Sequence, residues 1–182
     1  MERAVHRVFL ALGSNIEPEQ HLPQAVQRLK RYGTLVAVSH VWQSPPFGDP
    51  NQADFLNAAV LLETTRSAEA IVTRVIPEVE NALGRRRTPG NKNGPRTIDI
   101  DLSLYDRDVL TVAGKSIPDP AILFYPFVAL PLAEMDPSYL HPTTGEALVD
   151  IAERLVAENP PMVRREDVRL DALVSSPTPR SR

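Results

Sequence analysis

The stretch Gly94–Tyr105 constrains the fold of this chain more than any other. Within it, apolar residues at every second position alternate with Asp99, Asp101 and Ser103, a pattern that predicts a β-strand with one buried face. The two carboxylates then lie on the same face, with Cβ atoms roughly 6.5–7 Å apart. At that spacing they can bind one divalent cation or a close pair of cations. The solvated face of an edge strand has the same pattern, so the alternation alone leaves both interpretations open.

A basic loop, residues 84–96, precedes this strand. It is rich in Gly, Pro and Asn and carries five cationic side chains: Arg85, Arg86, Arg87, Lys92 and Arg96. The glycines and prolines disfavour an ordered helix face here. Carboxylates that bind a divalent metal, together with guanidinium and ammonium groups, can share the charge of a polyphosphate. The two segments together therefore indicate a site for a metal-bound polyphosphate.

The composition limits the class of protein. A chain of 182 residues with a net charge of −3 predicts one globular domain and no general affinity for nucleic acid. The absence of cysteine excludes disulfides, thiolate metal sites and cysteine nucleophiles. We expect one domain over residues 1–158 and a C-terminal extension over 159–182, with at least 175–182 disordered. Because we find neither a signal peptide nor a membrane-spanning run, we expect a cytoplasmic protein that binds no membrane.

The periodicity of the apolar residues predicts the element order β, α, β, β, α, β up to Tyr105. This is the order of ferredoxin-like antiparallel sheets, so the predicted fold class is α+β, a βαββαβ sheet with additional C-terminal helices. The predicted strands cover residues 8–12, 34–44, 55–64 and 98–105, and a short strand follows at 109–112. Pro77 lies inside the second predicted helix and is expected to kink or divide it.

Six short motifs occur in order along nearly the whole chain. They are Gly13-Ser14-Asn15; Ser44-Pro45-Pro46-Phe47-Gly48; Phe55-Leu56-Asn57-Ala58; Glu80 with Gly84-Arg85; Gly94 to Asp101; and Pro126-Phe127-Val128 before Pro131-Leu132. In this order and spacing they resemble the 6-hydroxymethyl-7,8-dihydropterin pyrophosphokinase family. The resemblance implies a ferredoxin-like enzyme of folate biosynthesis. Such an enzyme transfers the β,γ-pyrophosphoryl group of ATP to the hydroxymethyl group of the pterin, giving the dihydropterin diphosphate and AMP.

The resemblance also implies roles for individual residues. Asp99 and Asp101 would bind two Mg²⁺ ions that bridge the triphosphate and the pterin hydroxyl, and the implied catalytic set is Arg85, Arg96, Asp99 and Asp101. The implied nucleotide-binding residues are Glu80, Arg85, Arg87, Lys92, Arg96, Leu102 and Ser116. Phe55 and Phe127 would hold the flat pterin ring between two aromatic faces. The implied substrate-binding residues are Ser44, Pro45, Phe47, Phe55, Asn57 and Phe127.

Three residues depart from the family pattern. Asp119 stands where the family commonly has a histidine, Tyr125 where it has an arginine, and Pro77 where it often has a polar residue that contacts the nucleotide. An acid in place of a potential cation is expected to alter ATP affinity. Two other functions therefore stay open: a catalytically weakened paralogue that binds pterin and nucleotide, and an RNA-binding ferredoxin-like module. The RNA-binding alternative needs exposed aromatic side chains where this strand has two acids.

Overall fold

The computed structural model of the chain describes residues 4–174. Its first part contains β1 (His6–Ser14), α1 (Pro18–Leu29), β2 (Thr34–Val38), β3 (Trp42–Ser44), β4 (Phe55–Thr64), α2 (Ala68–Ala70) and α3 (Ile76–Ala82). The second part contains β5 (Asp99–Tyr105), β6 (Leu110–Val112), β7 (Lys115–Ile117), α4 (Pro126–Met135), α5 (Leu148–Glu158) and β8 (Val163–Arg164). Within residues 4–174, no helix is long and apolar enough to cross a membrane.

One antiparallel sheet organises these elements. Strand β1 lies between β4 and β5 and is antiparallel to both. Strands β2 and β3 both pair with β4, and β8 pairs with the other edge of β3. With helices after β1 and after β4, this is the ferredoxin-like βαββαβ arrangement. The predicted α+β fold class is therefore confirmed.

The strand predicted over residues 34–44 is divided into β2 and β3. Between them, the backbone N–H of Ser39 donates to the carbonyl of Ala59 over 2.9 Å, and the Ser39 hydroxyl accepts the Ala59 N–H over 2.8 Å. The serine side chain thus takes a hydrogen bond that a regular ladder would give to a backbone carbonyl. As a result the chain bends at this point, and the two short strands pair with opposite halves of β4.

Both faces of the sheet are covered. Val8 and Leu10 of β1 belong to a core cluster with α1 and the helix over residues 68–82. Phe9, between them, belongs to a second cluster with α4 and α5. Alternate residues of the central strands therefore enter different cores. This burial on two sides explains why β4 is apolar almost without interruption.

Strand β5 does not keep the predicted alternation to its end. Leu102 lies opposite Leu10 of β1, and Leu104 lies opposite Phe9, so Ser103 is an extra residue without a partner in the ladder. Such a β-bulge shifts the following side chains to the other face. Leu102 belongs to the cluster below α1, whereas Leu104 belongs to the cluster below α4 and α5. The alternation predicts that Ile98, Ile100, Leu102 and Leu104 share one face, and this prediction is wrong for Leu104.

The helix predicted around Pro77 forms two parts, α2 and α3, and Pro77 lies at the start of the second. Between α2 and α3 the chain forms a π-helical turn over Ile71–Val75, and the N–H of Ile76 donates to the carbonyl of Ile71. Proline has no N–H, and its ring would clash with the carbonyl four residues earlier in a regular α-helix. The wider π-helical turn before Pro77 provides the space that the ring needs.

The last described segment packs on the domain. Val168 and Leu170 are buried in the cluster that contains α1, and β8 adds a short strand to the edge of the sheet. A domain boundary is predicted after residue 158, at the end of α5. The segment that follows this boundary packs into the core of the domain. The disorder predicted for 175–182 lies outside the described residues.

This packing predicts that Leu170→Ala lowers the free energy of unfolding by about 2–4 kcal/mol, because it removes a buried side chain and leaves a cavity. Val163→Ala, at an exposed position of the same segment, is the control and is expected to change stability by less than about 0.5 kcal/mol. Urea denaturation followed by circular dichroism measures both. Equal stability of the wild type and Leu170→Ala would show that the segment contributes nothing to the core.

Candidate active site

A cavity of about 530 Å³ lies where the ends of β1, β4 and β5 meet the basic loop. Nearly all the predicted site residues line it: Ser44, Pro45, Phe47, Phe55, Asn57, Arg85, Arg87, Lys92, Arg96, Asp99, Asp101, Leu102, Ser116 and Phe127. These residues come from segments far apart in sequence, and antiparallel pairing brings the strand ends together. The roles implied for them stay predictions.

The carboxylate of Asp99 accepts hydrogen bonds from two arginines. Arg85 reaches one oxygen over 2.5 Å, and Arg96 reaches the other over 2.7 Å. Burial alone would raise the pKa of Asp99, but the two guanidinium groups outweigh it and lower this pKa below its ordinary value. Asp99 is therefore held as an anion at the floor of the cavity.

Glu80, predicted to contact the nucleotide, does not line the cavity. It is buried in α3, accepts the backbone N–H of Ile100 over 2.9 Å and pairs with Arg85. Burial raises its pKa, against the opposing effects of the Ile100 N–H and Arg85. Arg85 thus bridges two carboxylates, Glu80 at the open edge of β5 and Asp99 in the cavity. In this structure Glu80 does not contact the cavity, but it pairs with Arg85, which contacts Asp99 there.

The base of the basic loop is held by Asn15, which we did not predict as a site residue. Its side-chain oxygen accepts the N–H of Arg96 over 2.8 Å, and its own backbone N–H donates to the Arg96 carbonyl over 3.1 Å. The Ser14 hydroxyl donates to the carbonyl of Thr97. The Gly13-Ser14-Asn15 motif therefore fixes the start of the strand that carries Asp99. The motif marks Asn15 in the sequence, but the sequence does not indicate which loop the asparagine contacts.

The remaining cations of the loop extend from this base. Arg87 has an exposed side chain with one contact to Glu80 at 3.4 Å. The carbonyl of Lys92 accepts a hydrogen bond from Arg96, whose guanidinium lies over the ring of Phe55 at 5.5 Å from its centroid. Such a geometry allows a cation–π interaction. Arg96 therefore lies between the carboxylate floor and the aromatic part of the cavity.

Asp101 pairs with a different cation. The Lys115 ammonium, at the start of β7, lies 3.0 Å from one carboxylate oxygen of Asp101. Asp119 lines the same part of the cavity, and its backbone N–H donates to the carbonyl of the bulged Ser103 over 2.9 Å. Burial raises the pKa of Asp119, and the nearby charges of Asp101 and Asp99 raise it further. The unusual acid found in the sequence therefore faces the two predicted metal ligands.

The aromatic slot consists of Phe47, Phe55, Tyr125 and Phe127. The ring of Tyr125 stacks on that of Phe127, with centroids 5.1 Å apart and planes inclined by 17°. Phe47 meets Tyr125 edge-on at 4.9 Å. A flat heterocycle favours stacked or edge-on contacts of this kind. The departure at position 125 thus adds an aromatic ring that stacks on Phe127.

The amide of Asn57 adds a polar contact to this slot. Its nitrogen donates to the carbonyl of Trp42 over 3.1 Å and to the hydroxyl of Ser44 over 2.9 Å. These bonds use both amide hydrogens. Among residues 4–174 the side-chain oxygen has no donor, and Asn57 lines the cavity. This oxygen is therefore available to an N–H group of a ligand.

The carboxylates fit a magnesium ion that is shared with a substrate. No group of three or more His, Cys, Asp or Glu side chains in the described part of the chain is arranged to hold a metal alone. Magnesium is usually bound by one or two carboxylates together with substrate phosphates and water. Asp99 and Asp101, beside cationic groups that can bind the same phosphates, are the residues that could supply the protein part of such a set.

Comparison with known proteins identifies the class. The family model described as 7,8-dihydro-6-hydroxymethylpterin-pyrophosphokinase (HPPK) matches residues 9–137, and the chain belongs to this family. It is therefore an enzyme of the pyrophosphokinase class, as the motifs predicted. Membership of this family and the two acids of β5 argue against the RNA-binding alternative.

Two bacterial relatives show the extent of the similarity. The 2-amino-4-hydroxy-6-hydroxymethyldihydropteridine pyrophosphokinase of Aquifex aeolicus is 32% identical over 136 residues, which cover 74% of this chain and 83% of the relative. The protein of the same name from Bacillus subtilis is 36% identical over 130 residues, covering 70% and 76%. The crystal structure of wild-type Plasmodium falciparum HPPK-DHPS has the same fold, with a TM-score of 0.70 at 13% identity. That match covers 86% of this chain and 46% of the longer protein.

The burial of Asp119 predicts that the wild type and Asp119→Asn differ in their free energy of unfolding, and that this difference depends on pH. Its pKa is raised in the folded state, so ionising it opposes folding once the pH exceeds the unfolded value. Asp119→Asn keeps a side-chain acceptor for the Ala121 N–H and removes the charge. In buffer with EDTA, we expect Asp119→Asn to gain stability relative to the wild type as the pH rises from about 4 to neutrality.

Urea denaturation at a series of pH values measures this difference. Asp150→Asn, at an exposed position of α5, is the matched control and is expected to show no such gain. A constant difference between the wild type and Asp119→Asn over the whole range would contradict the raised pKa.

Proposed function

We propose that this enzyme transfers the β,γ-pyrophosphoryl group of ATP to 6-hydroxymethyl-7,8-dihydropterin in folate biosynthesis. The products are the dihydropterin diphosphate and AMP, and the reaction requires Mg²⁺. The observation that carries the proposal is the presence, in one cavity, of two strand carboxylates, a basic loop and an aromatic slot. A polyphosphate needs the first two, and a flat heterocycle needs the third.

The two ends of the cavity divide the substrates between them. ATP phosphates would bind at the carboxylate end, against Arg85 and Arg96. The pterin ring would bind in the aromatic slot, against Phe55 and Phe127, with its polar edge at Asn57. Because Arg96 lies between the two ends, it is well placed to contact the group that is transferred. Leu102 and Ser116, which also line the cavity, would contact the nucleotide.

Positioning accounts for most of the chemistry. Transfer requires the pterin hydroxyl to lie in line with the β-phosphorus, and charge must be neutralised on the phosphates and on the departing AMP. Mg²⁺ held by Asp99 and Asp101 would supply part of that neutralisation and would lower the pKa of the attacking hydroxyl, so no side chain would have to act as a strong base. Arg85 and Arg96 supply further cationic hydrogen bonds, and the aromatic slot fixes the acceptor.

The arginines that now pair with Asp99 would exchange partners when the substrates bind. Metal ions at Asp99 and Asp101 would neutralise these carboxylates, and the guanidinium groups would become available to phosphate oxygens. Glu80 would keep its contact with Arg85 during this exchange, because it lies outside the cavity and accepts the N–H of Ile100. A buried carboxylate in that position limits how far Arg85 can move.

The activity itself provides a direct test of this assignment. Purified wild type with ATP, Mg²⁺ and 6-hydroxymethyl-7,8-dihydropterin is expected to release AMP, whereas Asp99→Asn is expected to lower kcat by at least about a hundredfold. Asparagine keeps the shape but removes the charge that binds the metal. AMP release, followed by liquid chromatography, is the measurement.

Asp150→Asn serves as the control for a lost carboxylate outside the cavity and is expected to retain wild-type activity. An active Asp99→Asn would refute the role of this residue as a metal ligand. A wild type that binds both substrates without releasing AMP would instead favour the catalytically weakened paralogue, which the acid at position 119 makes the second candidate.

The aromatic slot provides a second test of the proposed function. Phe127→Ala is expected to raise the KM for the pterin by about tenfold, because stacking and apolar contact are lost, with little change in the KM for ATP. Phe124→Ala, three residues earlier and exposed outside the cavity, is the matched control. An equal rise in both KM values for Phe127→Ala would indicate a general disturbance of the site.

A further inference from the structure

We propose that Lys115 is a further phosphate-binding residue, which exchanges its pairing with Asp101 for a contact with the ATP phosphates. The inference rests on the proposed function and adds a residue to it. None of the sequence motifs includes Lys115, since a single lysine in a short hairpin has the pattern of an ordinary surface residue.

The position of Lys115 supports this role. It opens β7, opposite Val112 in the hairpin formed with β6. Its side chain is half-exposed, lines the cavity and extends to Asp101, with 3.0 Å between the ammonium nitrogen and the carboxylate oxygen. The neighbouring Ser116 also lines the cavity. The hairpin therefore contributes two polar residues to the lining of the cavity.

Lys115 lies in a different part of the cavity from the other cationic side chains that line it. The other cationic side chains that line the cavity all come from the basic loop: Arg85, Arg87, Lys92 and Arg96. Lys115 approaches from the hairpin, on the side of Asp101 and Asp119. Two acids and one cation on that side would repel a polyphosphate unless a metal ion neutralises the acids. Lys115 would then be the group of the hairpin that can bind phosphate.

The contact with Asp101 is suited to exchange. An ion pair between exposed side chains is weak, because water screens it and because two long side chains lose freedom on forming it. A lysine has a flexible stem and three rotatable donors, so its ammonium can move several ångströms without backbone change. Phosphate oxygens carry more charge than one carboxylate and are stronger acceptors. Metal binding at Asp101 and phosphate binding at Lys115 would therefore support each other.

A different role would be purely structural, with Lys115 orienting Asp101 for the metal. The two roles differ in their effect on metal binding without nucleotide. If Lys115 orients Asp101, its loss weakens metal binding. If Lys115 competes with the metal for Asp101, its loss leaves metal binding unchanged or strengthens it.

The experiment compares Lys115→Met, Lys115→Gln and Lys115→Arg with Lys30→Met, which removes a lysine at the end of α1. Calorimetry at saturating Mg²⁺ measures binding of a non-hydrolysable ATP analogue and of AMP. We expect both neutral variants to bind the analogue about tenfold more weakly and to bind AMP within about twofold of the wild type. Lys115→Arg is expected to stay within about threefold, and Lys30→Met is expected to match the wild type.

Binding of Mn²⁺ alone, measured by electron paramagnetic resonance, separates the two roles. The proposal requires the neutral variants to bind Mn²⁺ at least as tightly as the wild type. Wild-type affinity for the analogue in both neutral variants, or a parallel loss of analogue and Mn²⁺ binding, would overturn it. AMP release by the wild type in the same preparation tests the proposed function separately, since that result does not depend on any Lys115 variant.

Discussion

The site depends on the bridge that Arg85 forms between Asp99 and Glu80. A buried carboxylate is costly unless a cation and hydrogen-bond donors accompany it, and Glu80 receives both from Arg85 and the N–H of Ile100. The same guanidinium helps to keep Asp99 ionised in the cavity. Removal of any member would leave uncompensated charge, so the helix, the loop and the strand are tied together at this point.

A single extra residue in β5 shapes the other side of the cavity. The bulge at Ser103 transfers Leu104 to the core below α4 and α5, and the freed carbonyl of Ser103 accepts the N–H of Asp119. The bulge thus joins the second core to the sheet and also holds an acid beside β5. In this way one irregularity of the ladder contributes to both stability and the electrostatics of the site.

Much of the fold and of the site followed from local patterns. Alternation and helical periodicity predicted the βαββαβ order, because each strand and helix needs an apolar face for the core. Each of the six motifs contains residues that line the cavity, from Gly13 to Val128. The break between β2 and β3 was not predictable, since it depends on a hydrogen bond between Ser39 and a strand twenty residues later. The face of Leu104 was missed for the same reason, because a bulge depends on pairing with β1.

The amino-acid sequence by itself determined which elements form and which chemical groups the chain offers: two acids on one strand, a cationic loop, and aromatic side chains near Asn57. These are properties of neighbouring residues and of their spacing. Only the tertiary structure decided that Glu80 shares Arg85 with Asp99, that Asn15 holds the loop, and that Lys115 contacts Asp101. Those contacts join segments far apart in the chain, and the pairing of strands and the packing of helices set their distances.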